Sequence, residues 1–270
     1  MATSTKDASA LEHVRSYLAR QVAEIERTEP IVRLHADDEE AVHDLRVALR
    51  RSRSVLDTTD ELFEKNWVSS LRDELGWVSR ELAPVRDLDV LLAYLATEAP
   101  ELVKLFEIER QRAYGRAVDA HESKPYLDLF AALQRTEPGP ADVSLEQLAA
   151  REFRKLAKSV EALGSEPSDE GLHRVRIRAK QARYAAELAG KPGKKLVEAE
   201  KDFQDALGEH QDAVVAEGLI SDAAARRKGD DTAFLAGQVA ERQKERRRKA
   251  LAAIRGAWKK LDKQGRKAWA

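Results

Sequence analysis

The sequence predicts an all-α protein built from an internal duplication, and three observations carry that prediction. Apolar residues recur with the 3.6-residue helical period along almost the whole chain. Of the 270 residues only 13 are glycine and 8 proline, below the average share. No alternating β-branched run bounded by turn residues signals a strand. With 43% hydrophobic and 35% charged residues, a real core lies under a heavily charged surface.

In chain order, Asp7 is a candidate cap for a first helix that Pro30 ends or kinks. The acidic run Asp37, Asp38, Glu39 and Glu40 precedes a long apolar-periodic segment, where carboxylates oppose the helix macrodipole. Breaks are expected near Pro84, Pro100 and Pro125. Glu137-Pro138-Gly139-Pro140 is the clearest linker, separating a half at residues 1–135 from one at 144–270. Ser144 with Gln147 forms a capping-box pattern. Later breaks fall at Pro167, at Gly190-Lys191-Pro192-Gly193 and around Gly229.

The duplication rests on two ordered matches. VHDLRVALRRSR from Val42 aligns without gaps with LHRVRIRAKQAR from Leu172, setting His43 over His173, Arg46 over Arg176, Arg50 over Lys180 and Arg53 over Arg183 at an offset of 130. APVRDLDVLL from Ala83 aligns with GEHQDAVVAE from Gly208, setting Asp87 over Asp212 at an offset of 125. Such self-similarity reads as one ancestral unit used twice.

The spacing i, i+3, i+7, i+10 puts each set of four groups on one helical stripe about 80° wide and ~15 Å long. Like charges so placed repel by a few tenths of a kcal/mol per pair, so a repeated ladder of this kind asks for an anion. Val42, Leu45, Leu49 and Leu56 form the first apolar face, and Leu172, Val175, Ala179 and Ala182 the second. Each lies about 100° from its basic stripe, so the ladders should line a groove or the seam between the halves. Arginine suits phosphate because its planar fork donates two parallel hydrogen bonds. Neither Arg46 nor Arg176 sits in the apolar stripe, so replacing both is expected to weaken anion binding with the fold intact.

Together VHDLRVALRRSRSVL, PVRDLDVLLAYL, SKPYLDLFAAL and LHRVRIRAKQARYAAEL resemble the conserved histidine α-helical domain, the CHAD family, over roughly residues 8 to 265. The resemblance implies two helical bundles about a pseudo-twofold axis, basic helices facing a central cavity, and binding of inorganic polyphosphate rather than catalysis. His43 and His173 match the histidines that name the family. Arg46, Arg50, Arg53, Arg176, Lys180 and Arg183 match its signature basic positions, and Lys124 with Tyr126 a downstream Ser-x-Arg-Tyr-like element. Many relatives carry a fused CYTH enzyme domain; here the two halves take up the 270 residues. Gln181 stands opposite Arg51 and Gln211 opposite Arg86, so the halves need not bind equally. Lys194, Lys195 and Lys201 have no basic counterparts in the first half and join the candidate phosphate contacts.

Other readings stand beside these. A lone histidine is more often a core residue than a ligand; two placed alike beside arginine ladders argue for contact with the anion. Asp87 and Asp212 fit the orientation of an arginine, or a helix cap, better than general-base work. Residues 241–270 hold twelve basic and three acidic residues against a net charge of −1 for the whole chain. That run reads as a solvated helix face, an extension of the anion track or a nucleic-acid contact.

The chain has no cysteine, which excludes disulfides, Cys-ligated zinc and thiol nucleophiles. No apolar run approaches the ~20 residues of a membrane helix, and MATSTKDASA lacks a signal peptide's apolar centre, so a cytoplasmic location is expected, at polyphosphate granules and their proteins if the ligand is polyphosphate. No cofactor or metal is expected. A polyphosphate- or nucleotide-processing phosphohydrolase is the alternative, against which stand the missing Walker-type loop and missing carboxylate cluster. A nucleic-acid binder is disfavoured because no aromatic platform interleaves the basic stripe. A helical scaffold for protein partners is compatible with the first reading.

Overall fold

The computed structural model describes residues 5–34, 38–122, 132, 138–139, 143–190, 194–226 and 231–269. Among them run nine α-helices: α1 (Thr5–Leu34), α2 (Glu39–Thr58), α3 (Lys65–Glu81), α4 (Ala83–Glu98), α5 (Val103–His121), α6 (Leu145–Glu161), α7 (Asp169–Ala189), α8 (Lys194–Arg226) and α9 (Asp231–Ala268). The described residues contain no strand, only an isolated bridge between Phe63 and Pro138.

Local chemistry explains most boundaries. Asp38 caps α2 by accepting from the Ala41 amide at 2.8 Å, with Glu39 and Glu40 in the first turn against the positive end of the dipole. Ser144 and Gln147 close the expected capping box, and Ser168 caps α7 through the Gly171 amide at 3.1 Å. Gly190 ends α7 at a φ of 71°, a conformation that side chains with a Cβ resist. Two expectations are corrected. Helix α1 starts before Asp7 and continues through Pro30 to Leu34. Pro84 does break the chain, sitting in the first turn of α4, where its missing N–H costs nothing. Pro125, Pro192 and Gly229 lie outside the described residues.

The interhalf linker is pinned: the Gly139 amide donates to the Leu62 carbonyl at 2.9 Å. A Cβ at Gly139 would stand 2.5 Å from the Phe63 carbonyl oxygen, so only glycine fits there.

The element order repeats. A helix (α1 or α6) leads into the motif helix (α2 or α7), and each histidine is the fifth residue of its helix. The aspartate then follows on α4 or α8. Where the first half spends two helices, α3 and α4, broken around Leu82 and Pro84, the second runs α8 unbroken for 33 residues.

The predicted apolar stripes are buried: Val42, Leu45, Leu49 and Leu56 have no exposure, and Leu172, Val175, Ala179 and Ala182 no more than 4%. Each such leucine contributes about 2 kcal/mol by leaving water. Two cores result, and they do not divide as the chain does. One gathers α1 to α5 together with Leu188, Ala216, Ile220, Ala236 and Val239. The other holds Phe153, Leu172, Val175, Phe203 and Leu261, with Trp258 packed on Phe153 and Phe203 at centroid distances of 6.4 and 5.4 Å. The far end of the α8–α9 hairpin thus inserts into the first core, and an ion pair from Arg226 to Glu109 of α5 (3.1 Å) fastens it. No helix among the described residues is long and apolar enough to cross a membrane.

Candidate functional site

Because α2 and α7 bury their apolar stripes in adjoining cores, their basic stripes meet at the seam. There a cavity of about 390 Å³ is lined by Arg46, Arg50 and Arg53 from α2, by His173, Arg176 and Lys180 from α7, and by Arg80 from α3. Asp57, at one end, is its only acidic lining residue among those described.

The cationic side chains here are held without ion pairs. Arg46 donates through Nη1 to the Ser79 carbonyl at 2.9 Å, and Arg50 through Nε to the Tyr184 hydroxyl at 3.2 Å. Nε of Arg176 is buried with no hydrogen-bond partner. Among the described residues, none of Arg46, Arg50, Arg53, Arg80, Arg176 and Lys180 pairs with a carboxylate. Asp57 is itself occupied, by Arg72 at 2.6 Å and by the Gln181 amide at 3.3 Å.

Behind the cavity the two aspartates approach each other. Asp87 of α4 and Asp212 of α8 share the wall of a void of about 40 Å³. Burial pushes both carboxyls above the usual range, and Asp212 adds to this at Asp87, while Arg46 and Arg176 are the strongest opposing charges at Asp87 and Asp212 respectively. Burial lowers Arg46 and Arg176 in turn, and the aspartates oppose that. The residues paired by the repeat thus act on one another: each arginine's charge offsets that of a half-buried carboxylate. The expectation that Arg46 and Arg176 can be replaced with the fold intact therefore meets an opposing argument: their charges offset those of Asp87 and Asp212.

The two histidines sit differently. His43 lies outside the cavity lining; partial burial of its ring, then Arg86 and Arg50, hold its imidazole below the ordinary value. His173 lines the cavity and donates through Nδ1 to Oε1 of Gln211 at 2.8 Å. Gln211 thus stands beside one histidine where Arg86 stands beside the other, as the alignment pairs them.

Other candidates are not brought together. Arg51 lies 5.8 Å over the Tyr184 ring and does not line the cavity. Arg183 is tied to Glu187 at 2.8 Å and to Gln204 at 3.3 Å. Beside it, burial pushes the Glu200 carboxyl up to about 7. Lys195 and Lys201 are exposed on α8 away from the cavity; they lie on the hairpin's solvent side, because its apolar stripe is spent on the second core. Lys124 and the Lys194 side chain lie outside the described residues.

The basic C-terminal run is a salt-bridged surface. Arg242 pairs with Glu98 (3.3 Å), Arg246 with Glu209 (2.7 Å), Arg247 with Glu217 (2.6 Å) and Asp169, and Arg248 with Glu245 (3.3 Å). Sequence reasoning missed Arg80, which enters from α3. Seven residues before Asp212, where the repeat would place a counterpart to Arg80, stands Asp205, so the repeat carried no signal for it. Among the described residues no group of three or more His, Asp or Glu side chains could hold a metal ion.

Fold and site define a helical protein with a cavity lined mainly by cationic side chains. The chain belongs to the CHAD domain family, whose profile matches residues 16–221. Two proteins of Mycobacterium tuberculosis, the uncharacterized proteins MT2285 (strain CDC 1551 / Oshkosh) and Rv2226 (strain ATCC 25618 / H37Rv), are each 33% identical over 265 residues, covering 87% of this chain and 50% of theirs. The chain thus spans about half the length of these curated relatives. Among solved structures, PptA from Streptomyces chartreusis superposes with a TM-score of 0.75 at 26% identity, covering 92% of this chain and 99% of that one. The CHAD domain from the plant Ricinus communis gives 0.67 at 29%, covering 92% and 90%.

Proposed function

We propose that the cavity between α2 and α7 binds inorganic polyphosphate without turning it over. One observation carries the reading: among the described residues six cationic side chains and a histidine line one cavity with no carboxylate in ion-pair contact with them, Asp87 and Asp212 opposing only Arg46 and Arg176 and at longer range. Assembling such a group opposes folding, and a polyanion offsets that cost through charge-assisted hydrogen bonds and release of counterions. The lining offers donors for phosphate oxygens and no aromatic face on which a base could stack. Asp87 and Asp212 are occupied in compensating Arg46 and Arg176, which speaks for a structural role over acid–base chemistry. A protein that holds polyphosphate without consuming it suits attachment to polyphosphate granules.

Incubation with long-chain polyphosphate, with bound polymer and free orthophosphate both measured, tests this. Retention of the polymer with no orthophosphate release, and affinity falling steeply with salt, is the expected result. Steady release of orthophosphate would make the protein a phosphohydrolase, and duplex DNA competing on equal terms would make it a nucleic-acid binder.

A further inference from the structure

The cavity's cations are not chemically equivalent. Five of them, Arg46, Arg50, Arg53, Arg80 and Arg176, are arginines, a residue type whose guanidinium is the most strongly basic side-chain group in proteins. Lys180 is the only lysine among the lining residues, and it stands where the repeat places Arg50 in the other half. An amine gives up its proton readily when water is withdrawn and cations surround it.

Lys180 meets both conditions. It lines the same cavity as Arg46 and Arg50 of α2 and Arg176 of its own helix, and Asp212 of α8 is the carboxylate whose charge opposes theirs. Asp87 of α4 faces Arg46 and Arg176. Arg80 of α3 and His173 share the cavity, and Asp57 at its end is held by Arg72 and Gln181. From α6, Glu152 pairs with Lys155 at 2.6 Å; from α1, Tyr17 lies beside Arg51, its hydroxyl raised to about 12 chiefly by burial.

We propose that the cavity takes up its anion together with a proton, and that Lys180 is the group that receives it. This deepens the polyphosphate reading and rests on it. Burial and then Arg176, Arg50 and Arg46 push the Lys180 ammonium from its ordinary 10.5 down to about 6, so its proton is held weakly near neutral pH. A phosphate chain lying among the same arginines cancels their repulsion and restores the charged form. The proton comes from solvent and the amine nitrogen accepts it; no bond to phosphorus forms or breaks. The sign follows from linkage: a complex that holds more protons than the free protein weakens as pH rises. The arginines thus give binding at every pH, and Lys180 makes its strength follow acidity.

The test is calorimetric titration of long-chain polyphosphate into the whole chain at pH 8, in two buffers of different ionisation enthalpy. The wild type should take up about one proton per occupied cavity, and its affinity should fall toward tenfold per pH unit between pH 7 and 9. Lys180→Arg, permanently charged, should take up none, bind more tightly at pH 8 and show a flat profile. Lys180→Met should also take up none, which separates Lys180 from His43 and His173 should the arginine variant fold poorly. Wild-type binding heats independent of buffer, or proton uptake that persists in Lys180→Met, would overturn the assignment. Failure of polyphosphate to bind the wild type at any pH would overturn the ligand reading and the coupling together, whereas binding without proton uptake overturns the coupling alone.

Discussion

Helices α2 and α7 carry the same ladder of basic residues, and the structure uses the two differently. On α2, Arg46, Arg50 and Arg53 all reach the cavity. On α7 the counterpart of Arg53, Arg183, is bound to Glu187 and Gln204, and the counterpart of Arg50 is a lysine. The histidines diverge as well: His173 lines the cavity and is anchored by Gln211, while His43 stays outside it under the charge of Arg86. A motif copied with its spacing fixes which helix edge carries charge. What each charge does is set by the partners that neighbouring helices supply. The three arginines of the first ladder all face the cavity; of the second ladder, Arg176 and Lys180 face it and Arg183 is committed elsewhere.

The largest expected effect comes from breaking what the two ladders share. Replacing Arg46 and Arg176 by Ala leaves Asp87 and Asp212 without their strongest compensating charges, and should lower stability by about 1 kcal/mol per site as well as weaken polyphosphate binding. Adding Asp87→Asn and Asp212→Asn should recover much of the stability and none of the binding, read by denaturant unfolding beside calorimetry. A double alanine variant as stable as the parent would mean that the aspartates do not depend on the arginines.

A smaller effect sharpens the contrast at the ends of the ladders. Arg53→Ala removes an unpaired donor and should weaken polyphosphate binding roughly tenfold, the worth of one charge-assisted hydrogen bond. Arg183→Ala removes a guanidinium already committed to Glu187 and should change affinity by less than about threefold. Equal losses at the two positions would show that both ladders engage the anion along their full length.

How far the sequence could be read follows from where each signal resides. The ladders, their apolar stripes, the caps at Asp38, Ser144 and Ser168 and the break at Pro84 are all local, fixed by spacing along one helix or by one turn's chemistry. Arg80 was invisible because it reaches the cavity from a helix whose counterpart in the second half carries an acid at that place. The commitments of Arg242, Arg246 and Arg247 were invisible for a related reason: Glu98, Glu209, Glu217 and Asp169 lie 30 to 144 residues away in sequence. Lys195 and Lys201 looked like phosphate contacts because charge along a chain does not say which face of a long hairpin is spent on the core. That Arg46 and Arg176 act on Asp87 and Asp212 depended on two aspartates converging from different helices, which the offset of 125 placed in equivalent positions without showing that they meet.

The central claim is that both ladders serve one cavity, and chain length tests it most directly. A short anion engages only part of the lining at once, while a long flexible one held by one ladder meets the other at high effective concentration. Calorimetry at fixed salt with triphosphate and with long-chain polyphosphate should therefore show affinity rising by at least about tenfold with length, then levelling once both ladders are occupied. Equal affinity per site for triphosphate and the long polymer would contradict a shared cavity and leave two independent phosphate sites in its place.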